Sequence, residues 1–170
     1  RVDFAERLNR DLPGRLAAAL PESSRLIHIS TDYVFDGKTP PYSEDDKVSP
    51  LNVYGRTKAE AEPLVLAHPG GTVLRIPVLV GEGPGFIQQM LDALNADDPD
   101  PIDDVLIRHP AWTVDIAEVC AWILEERVTG IWQASSQQGG TRYELTCRVA
   151  DALGLSAEHL RPSSRIVPRK

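Results

Sequence analysis

The sequence is poor in cysteine, with only Cys120 and Cys147 among its 170 residues. Two isolated thiols offer neither a disulfide framework nor the paired spacings typical of metal-binding domains. Each lies on the apolar face of a predicted helix, so we interpret both as buried thiols in a reducing compartment. We therefore predict no metal site and a cytoplasmic location.

Long apolar runs and an excess of basic charge are also missing. No stretch of about 18 apolar residues occurs, as a membrane-spanning helix would require, and no signal-peptide pattern is present. The net charge is -7 and the arginines are scattered among acidic residues, with no basic stripe. These features argue against partners such as nucleic acid or an anionic membrane, and we expect one modest soluble domain.

The glycine-rich turn of dinucleotide-binding folds is absent as well. That turn has the spacing GxGxxG and connects the first strand to a helix. The segment GEGPG at residues 81–85 has a different spacing and lacks that order of elements. We interpret it as a loop and not as a phosphate-binding site.

The most informative stretch is residues 26–58, LIHISTDYVFDGKTPPYSEDDKVSPLNVYGRTK. Its apolar start, residues 26–29, predicts a strand buried on both faces, in which His28 is more simply a packed residue than a base. The strand gives way to Ser30, Thr31 and Asp32. Because ligands bind at the carboxyl ends of strands in open parallel sheets, these polar side chains are candidates for a binding site.

Tyr54 and Lys58 follow on a predicted helix that begins near Val53. Residues four positions apart share a helical face, so the ammonium of Lys58 can lie beside the phenol of Tyr54. Together with a strand-end hydroxyl, these groups could transfer a proton to a carbonyl. On its own, so short a motif is equally compatible with a solvated first helical turn.

Alternating strand and helix signals in the remaining sequence predict an α/β fold with a parallel sheet. Pro13 should break or kink the first helix, and Pro63 should end or bend the second. Pro77 should stop the second strand near Ile76. The further predicted elements are a helix over 86–94, a helix over 113–124, a strand over 131–134 and a last helix opened by a capping box at Thr141 and Glu144.

The stretch STDYVFDG…PYSEDD…PLNVYGRTK resembles the extended short-chain dehydrogenase/reductase superfamily, and within it the dTDP-4-dehydrorhamnose reductase family. The resemblance covers nearly all of the chain but only the middle and later parts of those longer proteins. It implies a partial Rossmann-like parallel sheet with flanking helices. In that fold, residues 1–80 form the C-terminal half of a Rossmann-like NAD(P)-binding domain and 81–170 a small, truncated α/β substrate-binding part. It also implies a short strand at residues 105–107. We therefore expect a partial chain, inactive by itself, with an exposed apolar sheet edge that could support a homodimer.

The resemblance further implies an activity, the NAD(P)H-dependent reduction of the 4-keto group of a nucleotide-linked 6-deoxyhexose in dTDP-rhamnose biosynthesis. By position, Tyr54 would supply the proton to the carbonyl oxygen, and Lys58 would lower the pKa of that phenol. Thr31 would donate a hydrogen bond to the same oxygen as charge develops on it.

Cofactor and substrate contacts are implied by the same resemblance. Lys58 and Tyr54 would bind the cofactor ribose, with Ser30 nearby, and Pro77 and Val78 would meet the nicotinamide carboxamide. Thr31 and Asp32 would contact the nucleotide-sugar substrate. His109 is a further candidate for substrate contact because its loop approaches the substrate in relatives. NAD and NADP stay open alternatives.

A second resemblance gives an alternative function. The pattern LRIP.L.GE from Leu74 and the helix TRYELTCRVADALGL from Thr141 are similar to the regulatory β subunit of methionine adenosyltransferase. Val78 also stands where many rhamnose-forming reductases carry a tryptophan. The alternative is thus a non-catalytic, NADP-binding regulatory subunit, with a methionine adenosyltransferase catalytic subunit as its partner. A simple packing module is the third possibility.

Overall fold

The computed structural model describes residues 2–83 and 85–165. Its helices are α1 (Val2–Glu6), α2 (Leu12–Ala19), α3 (Val53–Leu66), α4 (Phe86–Asn95), α5 (Thr113–Glu125) and α6 (Arg142–Leu153). Its strands are β1 (Leu26–Thr31), β2 (Gly71–Ile76), β3 (Leu79–Val80), β4 (Ile102–Asp103), β5 (Ala111–Trp112), β6 (Gly130–Gln133) and β7 (Pro162–Ser163). The chain divides into two compact units, Arg1–Pro77 with Asp115–Ala134, and Val78–Val114 with Ser135–Lys170.

The first unit contains a parallel sheet with the strand order β1-β2-β6. Strand β2 lies in the centre, and all six of its residues are buried. Helix α3 makes the crossover between β1 and β2, the connection that parallel strands require. The predicted α/β class with a parallel sheet is therefore confirmed, and β2 ends at Ile76 as the following proline indicated.

Strand β1 is less buried and longer than the sequence predicted. It lies at an edge of the described sheet, and Ile29 is 38% exposed, so the strand is not buried on both faces. His28 on the opposite face is buried. Strand β1 also runs two residues beyond the predicted apolar run, to Thr31, which places both hydroxyl residues inside its regular geometry.

The first helix does not break at Pro13, and the kink that the sequence equally allowed stays a prediction. A π-helical segment, Arg7–Asp11, joins α1 to α2 without interruption, and the backbone of Asp11 and Leu12 is helical. In a π segment each hydrogen bond spans one residue more than in an α-helix. Pro13 lies just after the π-helical segment, and we attribute its tolerance to the altered hydrogen-bond spacing of that segment.

Pro63 does not end α3 either. The helix continues to Leu66 with the proline inside it. Only one turn of helix follows Pro63, and the buried residues Ala61, Glu62 and Val65 anchor this part of the helix on the sheet side. We attribute the tolerance to that packing, which outweighs the loss of one backbone hydrogen bond.

The second unit has two short parallel strand pairs, β3 with β5 and β4 with β7. Phe86, Met90 and Leu94 form the buried stripe of α4, as the sequence spacing predicted. Thr141 and Glu144 form the predicted capping box of α6, which Gly154 ends in the left-handed conformation at φ 67°. The predicted strand at residues 105–107 is wrong, because pairing occurs at Ile102–Asp103 instead.

Residues 115–134 belong to the first unit, so the chain leaves that unit at Val78 and returns to it with α5 and β6. The division of residues 1–80 and 81–170 into cofactor and substrate parts stays a prediction. Cys120 and Cys147 are both half-buried and free. None of the helices in the described ranges has the length and apolar character needed to cross a bilayer.

Candidate active site at the end of strand β1

Thr31 is the last residue of β1 and caps the 3₁₀ turn Asp32–Val34 that follows. Its hydroxyl accepts a hydrogen bond from the backbone N–H of Tyr33 at 3.2 Å and donates to Oδ1 of Asp32 at 3.1 Å. The side chain is nearly buried, whereas Asp32 is exposed. The hydroxyl is therefore held by its own turn and lies where the strand opens to solvent.

Tyr54 is brought to this position by the start of α3. Asn52 caps the helix by accepting a hydrogen bond from the N–H of Gly55 at 2.7 Å. Gly55 packs directly on the turn after β1, where an added Cβ would lie 2.1 Å from the carbonyl oxygen of Tyr33. The rings of Tyr33 and Tyr54 meet edge to face, with centroids 6.2 Å apart. The glycine is thus required for the phenol to approach the strand end.

Thr31 and Tyr54 are brought together by this packing. Burial raises the pKa of the Tyr54 phenol, and a hydrogen bond with the Thr31 side chain acts in the opposite direction. The negative charge of Asp32 raises this pKa further. Lys58 is not among the groups that shift it, and the pKa moves upward instead of falling as the sequence suggested. The protonated phenol is therefore the favoured form in the isolated chain.

Lys58 and His28 form the interior side of the site. Burial lowers the pKa of the Lys58 ammonium, and Glu62 one helical turn further on partly restores it. Burial also lowers the pKa of His28 to about 4, and the charge of Lys58 adds to this shift. Nε2 of His28 is buried without a hydrogen-bond partner. His28 is therefore a neutral interior residue at neutral pH.

Ser30 faces away from the opening of the strand. It is buried, and its hydroxyl donates to Oε1 of Glu62 at 2.6 Å. Successive side chains of a strand point to opposite faces, which explains why Thr31 and Ser30 diverge. The proposed role of Ser30 in cofactor binding stays a prediction.

The other predicted contact residues lie at or beyond the end of the first unit. Pro77 is the last residue of that unit and is half-buried. Val78 begins the second unit, where its carbonyl accepts a hydrogen bond from the N–H of Ala111 at 3.1 Å. His109 is exposed in the second unit, with Nδ1 3.1 Å from the carbonyl oxygen of Ser136. Their roles stay predictions.

Sequence reasoning missed two contributors to this region. Glu62 continues the spacing of Tyr54 and Lys58 by four residues, and it forms a buried ion pair with Arg75. Asn9, in the π-helical segment, donates from Nδ2 to Oγ1 of Thr57 at 3.1 Å. The regular four-residue spacing was a usable signal for Glu62, whereas the bond of Asn9 spans 48 residues of sequence and left none.

The donor set fits one end of a nicotinamide dinucleotide. An ammonium and a phenol one helical turn apart, both partly buried, match the hydroxyls of a ribose. The pyrophosphate lacks a counterpart, because the sequence contains no GxGxxG turn. Within the described part of the chain, no three His, Cys, Asp or Glu side chains come together to hold a metal ion.

The parallel sheet, with the hydroxyl and phenol at the end of β1, defines a Rossmann-like α/β protein whose structural neighbours include reductases. The family model described as RmlD substrate binding domain matches residues 1–169. The chain belongs to this family, within the dTDP-4-dehydrorhamnose reductase-like proteins that the sequence resembled.

Three known proteins illustrate this relationship. Methionine adenosyltransferase 2 subunit beta of Danio rerio is 41% identical over 150 residues, 82% of this chain and 46% of that protein. A dTDP-4-keto-6-deoxy-D-glucose reductase of Streptomyces niveus is 35% identical over 150 residues, 86% of this chain and 52% of that protein. The dTDP-4-dehydrorhamnose reductase of Bacillus anthracis, solved in complex with NADP, gives a TM-score of 0.89 at 22% identity, over 100% of this chain and 62% of that one. The chain spans about half the length of the curated relatives it matches.

Proposed function

We propose that the protein containing this chain reduces the 4-keto group of a nucleotide-linked 6-deoxyhexose with NAD(P)H. The observation that carries the proposal is the contact between the Tyr54 phenol and the Thr31 hydroxyl at the end of β1. A proton donor next to a second hydroxyl is what a carbonyl oxygen requires when it becomes an alkoxide. The relationship to a keto-deoxysugar reductase of Streptomyces niveus supports the same substrate class.

Each residue has a distinct task in this proposal. Tyr54 gives its proton to the carbonyl oxygen, and its raised pKa keeps that proton in place until charge develops there. Thr31 donates a hydrogen bond to the same oxygen. Lys58 binds ribose hydroxyls together with Tyr54. When bound, the reduced nicotinamide supplies the hydride.

Substitution of Tyr54 by phenylalanine tests the assignment. In full-length protein supplied with NADPH and dTDP-4-keto-6-deoxyhexose, we expect Tyr54→Phe to lower kcat by about 10²- to 10⁴-fold, the usual contribution of a general acid. Cofactor affinity should change little, because Lys58 remains. Tyr143→Phe in α6 is the matched control and should keep full turnover. Undiminished oxidation of NADPH by Tyr54→Phe would refute the role of the phenol.

The alternative is a regulatory subunit that binds a nicotinamide dinucleotide and a methionine adenosyltransferase catalytic subunit. The 41% identity to subunit beta from Danio rerio favours it. A phenol whose pKa is raised, with no lowering by Lys58, is also compatible with a site that no longer turns over. Tight cofactor binding without substrate reduction, together with co-purification of a methionine adenosyltransferase, would decide for this alternative.

A further inference from the structure

A buried ion pair lies directly behind the candidate active site. Nη2 of Arg75 is 2.7 Å from Oε2 of Glu62, and Nε donates to Oε1 at 3.0 Å. The two side chains are only 3% and 5% exposed. This two-bond geometry is the strongest that a guanidinium and a carboxylate can form.

The positions of Arg75 on β2 and Glu62 on α3 connect the ion pair to Thr31 and Tyr54. Arg75 is the register partner of Ser30 on the neighbouring strand, and Ser30 adds a third hydrogen bond to Glu62. Thr31 follows Ser30 directly in β1. Glu62 lies on α3 two turns after Tyr54, on the same helical face. The carboxylate therefore joins the strand that ends in the hydroxyl to the helix that carries the phenol.

The same guanidinium also holds the loop of residues 35–49, which connects the turn after β1 to the approach to α3. Its remaining nitrogen, Nη1, donates to the carbonyl oxygen of Glu44 at 3.1 Å. Its face lies over the ring of Phe35, 5.1 Å from the centroid. Phe35 in turn stacks on Tyr42, with centroids 4.3 Å apart. One interior side chain thus contacts the loop at its start and near its middle.

We propose that Arg75, oriented by Glu62, is a positioning residue that sets the distance between the Thr31 hydroxyl and the Tyr54 phenol. The inference deepens the proposed reductase function and rests on it for its catalytic consequence. Its physical basis is that β1, α3 and the 35–49 loop share one rigid set of charge-assisted hydrogen bonds. Errors of about 1 Å between reacting groups lower rates by about 10²-fold.

Replacing Glu62 and Arg75 together separates an effect on the position of the site residues from an effect on protein stability. Removing one partner leaves the other charge buried and unpaired, which unfolds many proteins, but replacing both by apolar residues of similar volume restores stability. The double variant Glu62→Met with Arg75→Met therefore keeps a packed interior without the hydrogen bonds. We expect its melting temperature to stay close to that of the unchanged protein.

Two readouts on this double variant test the proposal. Amide hydrogen exchange in residues 35–49 should accelerate by at least about tenfold, because the loop loses its anchor. With the keto sugar and NADPH, kcat should fall by about 10²-fold while KM changes much less. Native exchange and native kcat in a stable double variant would overturn the proposal and leave the pair with a purely structural role.

Arg75→Lys serves if the double variant does not fold. Lysine keeps the charge opposite Glu62, but a single ammonium cannot reproduce the planar set of bonds to Glu62 and Glu44. We expect faster exchange in the loop and reduced kcat, and unchanged exchange would contradict the proposal. Lys47→Met on the exposed loop surface is the control for loop substitution and should alter neither value.

The exchange readout also separates this inference from the proposed function. Faster loop exchange in a protein that reduces no keto sugar supports the anchoring role and refutes the reductase function. Full reductase activity in the double variant refutes the positioning role and leaves the reductase function intact.

Discussion

Each unit contains a carboxylate–guanidinium pair that holds a loop, and the two pairs differ in their surroundings. Glu62 and Arg75 hold the loop of residues 35–49 in the first unit, and Asp103 and Arg108 hold residues 104–107 in the second. Both pairs have an N–O distance of 2.7 Å. In the first pair both side chains are almost completely buried, whereas Arg108 of the second pair is 17% exposed.

The bonds around each pair show the same difference. Asp103 accepts hydrogen bonds from the N–H groups of Val105 and Leu106 at 3.0 and 3.3 Å. These bonds hold the backbone of the short loop that follows β4. The side chains of Val105, Leu106 and Ile107 are nevertheless exposed. In the first unit, Phe35 is buried against Arg75. The buried pair therefore holds side chains and backbone together, whereas the partly exposed pair holds only the backbone.

The largest expected effect is the removal of Glu62. Glu62→Leu leaves the Arg75 guanidinium buried without its partner, and we expect a loss of about 3–5 kcal/mol in the free energy of unfolding. Glu60→Leu on the same helix is the control. Glu60 pairs with Arg10 and Arg56 at a half-exposed position, so we expect about 1 kcal/mol or less. Denaturant titration measures both, and equal losses would show that Glu62 is an ordinary surface charge.

The contrast between these glutamates also shows what the sequence could reveal. Strand β1 itself, the four-residue spacing of Tyr54 and Lys58, and the apolar stripe of α4 were predicted because they depend on local periodicity. The four-residue spacing marks Glu62, but no local pattern in the sequence indicates that it pairs with Arg75. Their burial depends on the parallel register of β1 and β2, which places Ser30 opposite Arg75.

Other features escaped prediction because tertiary packing overrode a local rule. Pro13 and Pro63 were expected to interrupt helices, but a π-helical segment and a buried helix face accommodate them. The apolar residues 105–107 favour a strand by composition, whereas Asp103 turns the backbone immediately before them. The upward shift of the Tyr54 pKa depends on burial and on Asp32, which spacing alone does not reveal.

A pH titration tests whether burial in the first unit also disfavours the charged form of His28. His28 has a pKa of about 4 in the folded chain, against about 6.5 when unfolded. The unfolded state therefore binds the proton first as the pH falls. The contribution of neutral His28 to the free energy of unfolding is complete above pH 6.5 and is lost progressively toward pH 4, by at most roughly 3 kcal/mol. In urea titrations between about pH 4 and 6.5, His28→Met should remove this pH dependence of the free energy of unfolding. The same pH dependence in both proteins would show that His28 is not its source.

Gly55 tests the close approach of α3 to the turn after β1. In Gly55→Ala the new Cβ would meet the carbonyl oxygen of Tyr33 at 2.1 Å, so helix and turn must separate. We expect a loss of about 1–3 kcal/mol, typical of overpacking, and weaker edge-to-face contact between Tyr33 and Tyr54. Gly85→Ala is the control, because its Cβ would have no neighbour within 4 Å. Equal thermal stability of the two variants would contradict the tight packing of α3.

The smallest effect should come from the partly exposed pair in the second unit. Arg108→Met removes the partner of the buried Asp103, yet Oδ1 keeps its two backbone N–H donors, and loss of the partly exposed guanidinium would open Oδ2 to water. We expect a loss of about 1 kcal/mol, which added salt should reduce because an accessible pair is screened. The matched loss for Glu62→Leu should be insensitive to salt. If Arg108→Met costs as much as Glu62→Leu, burial is not what distinguishes the two pairs, and the argument that Arg75 positions the site through a dry interior loses its physical basis.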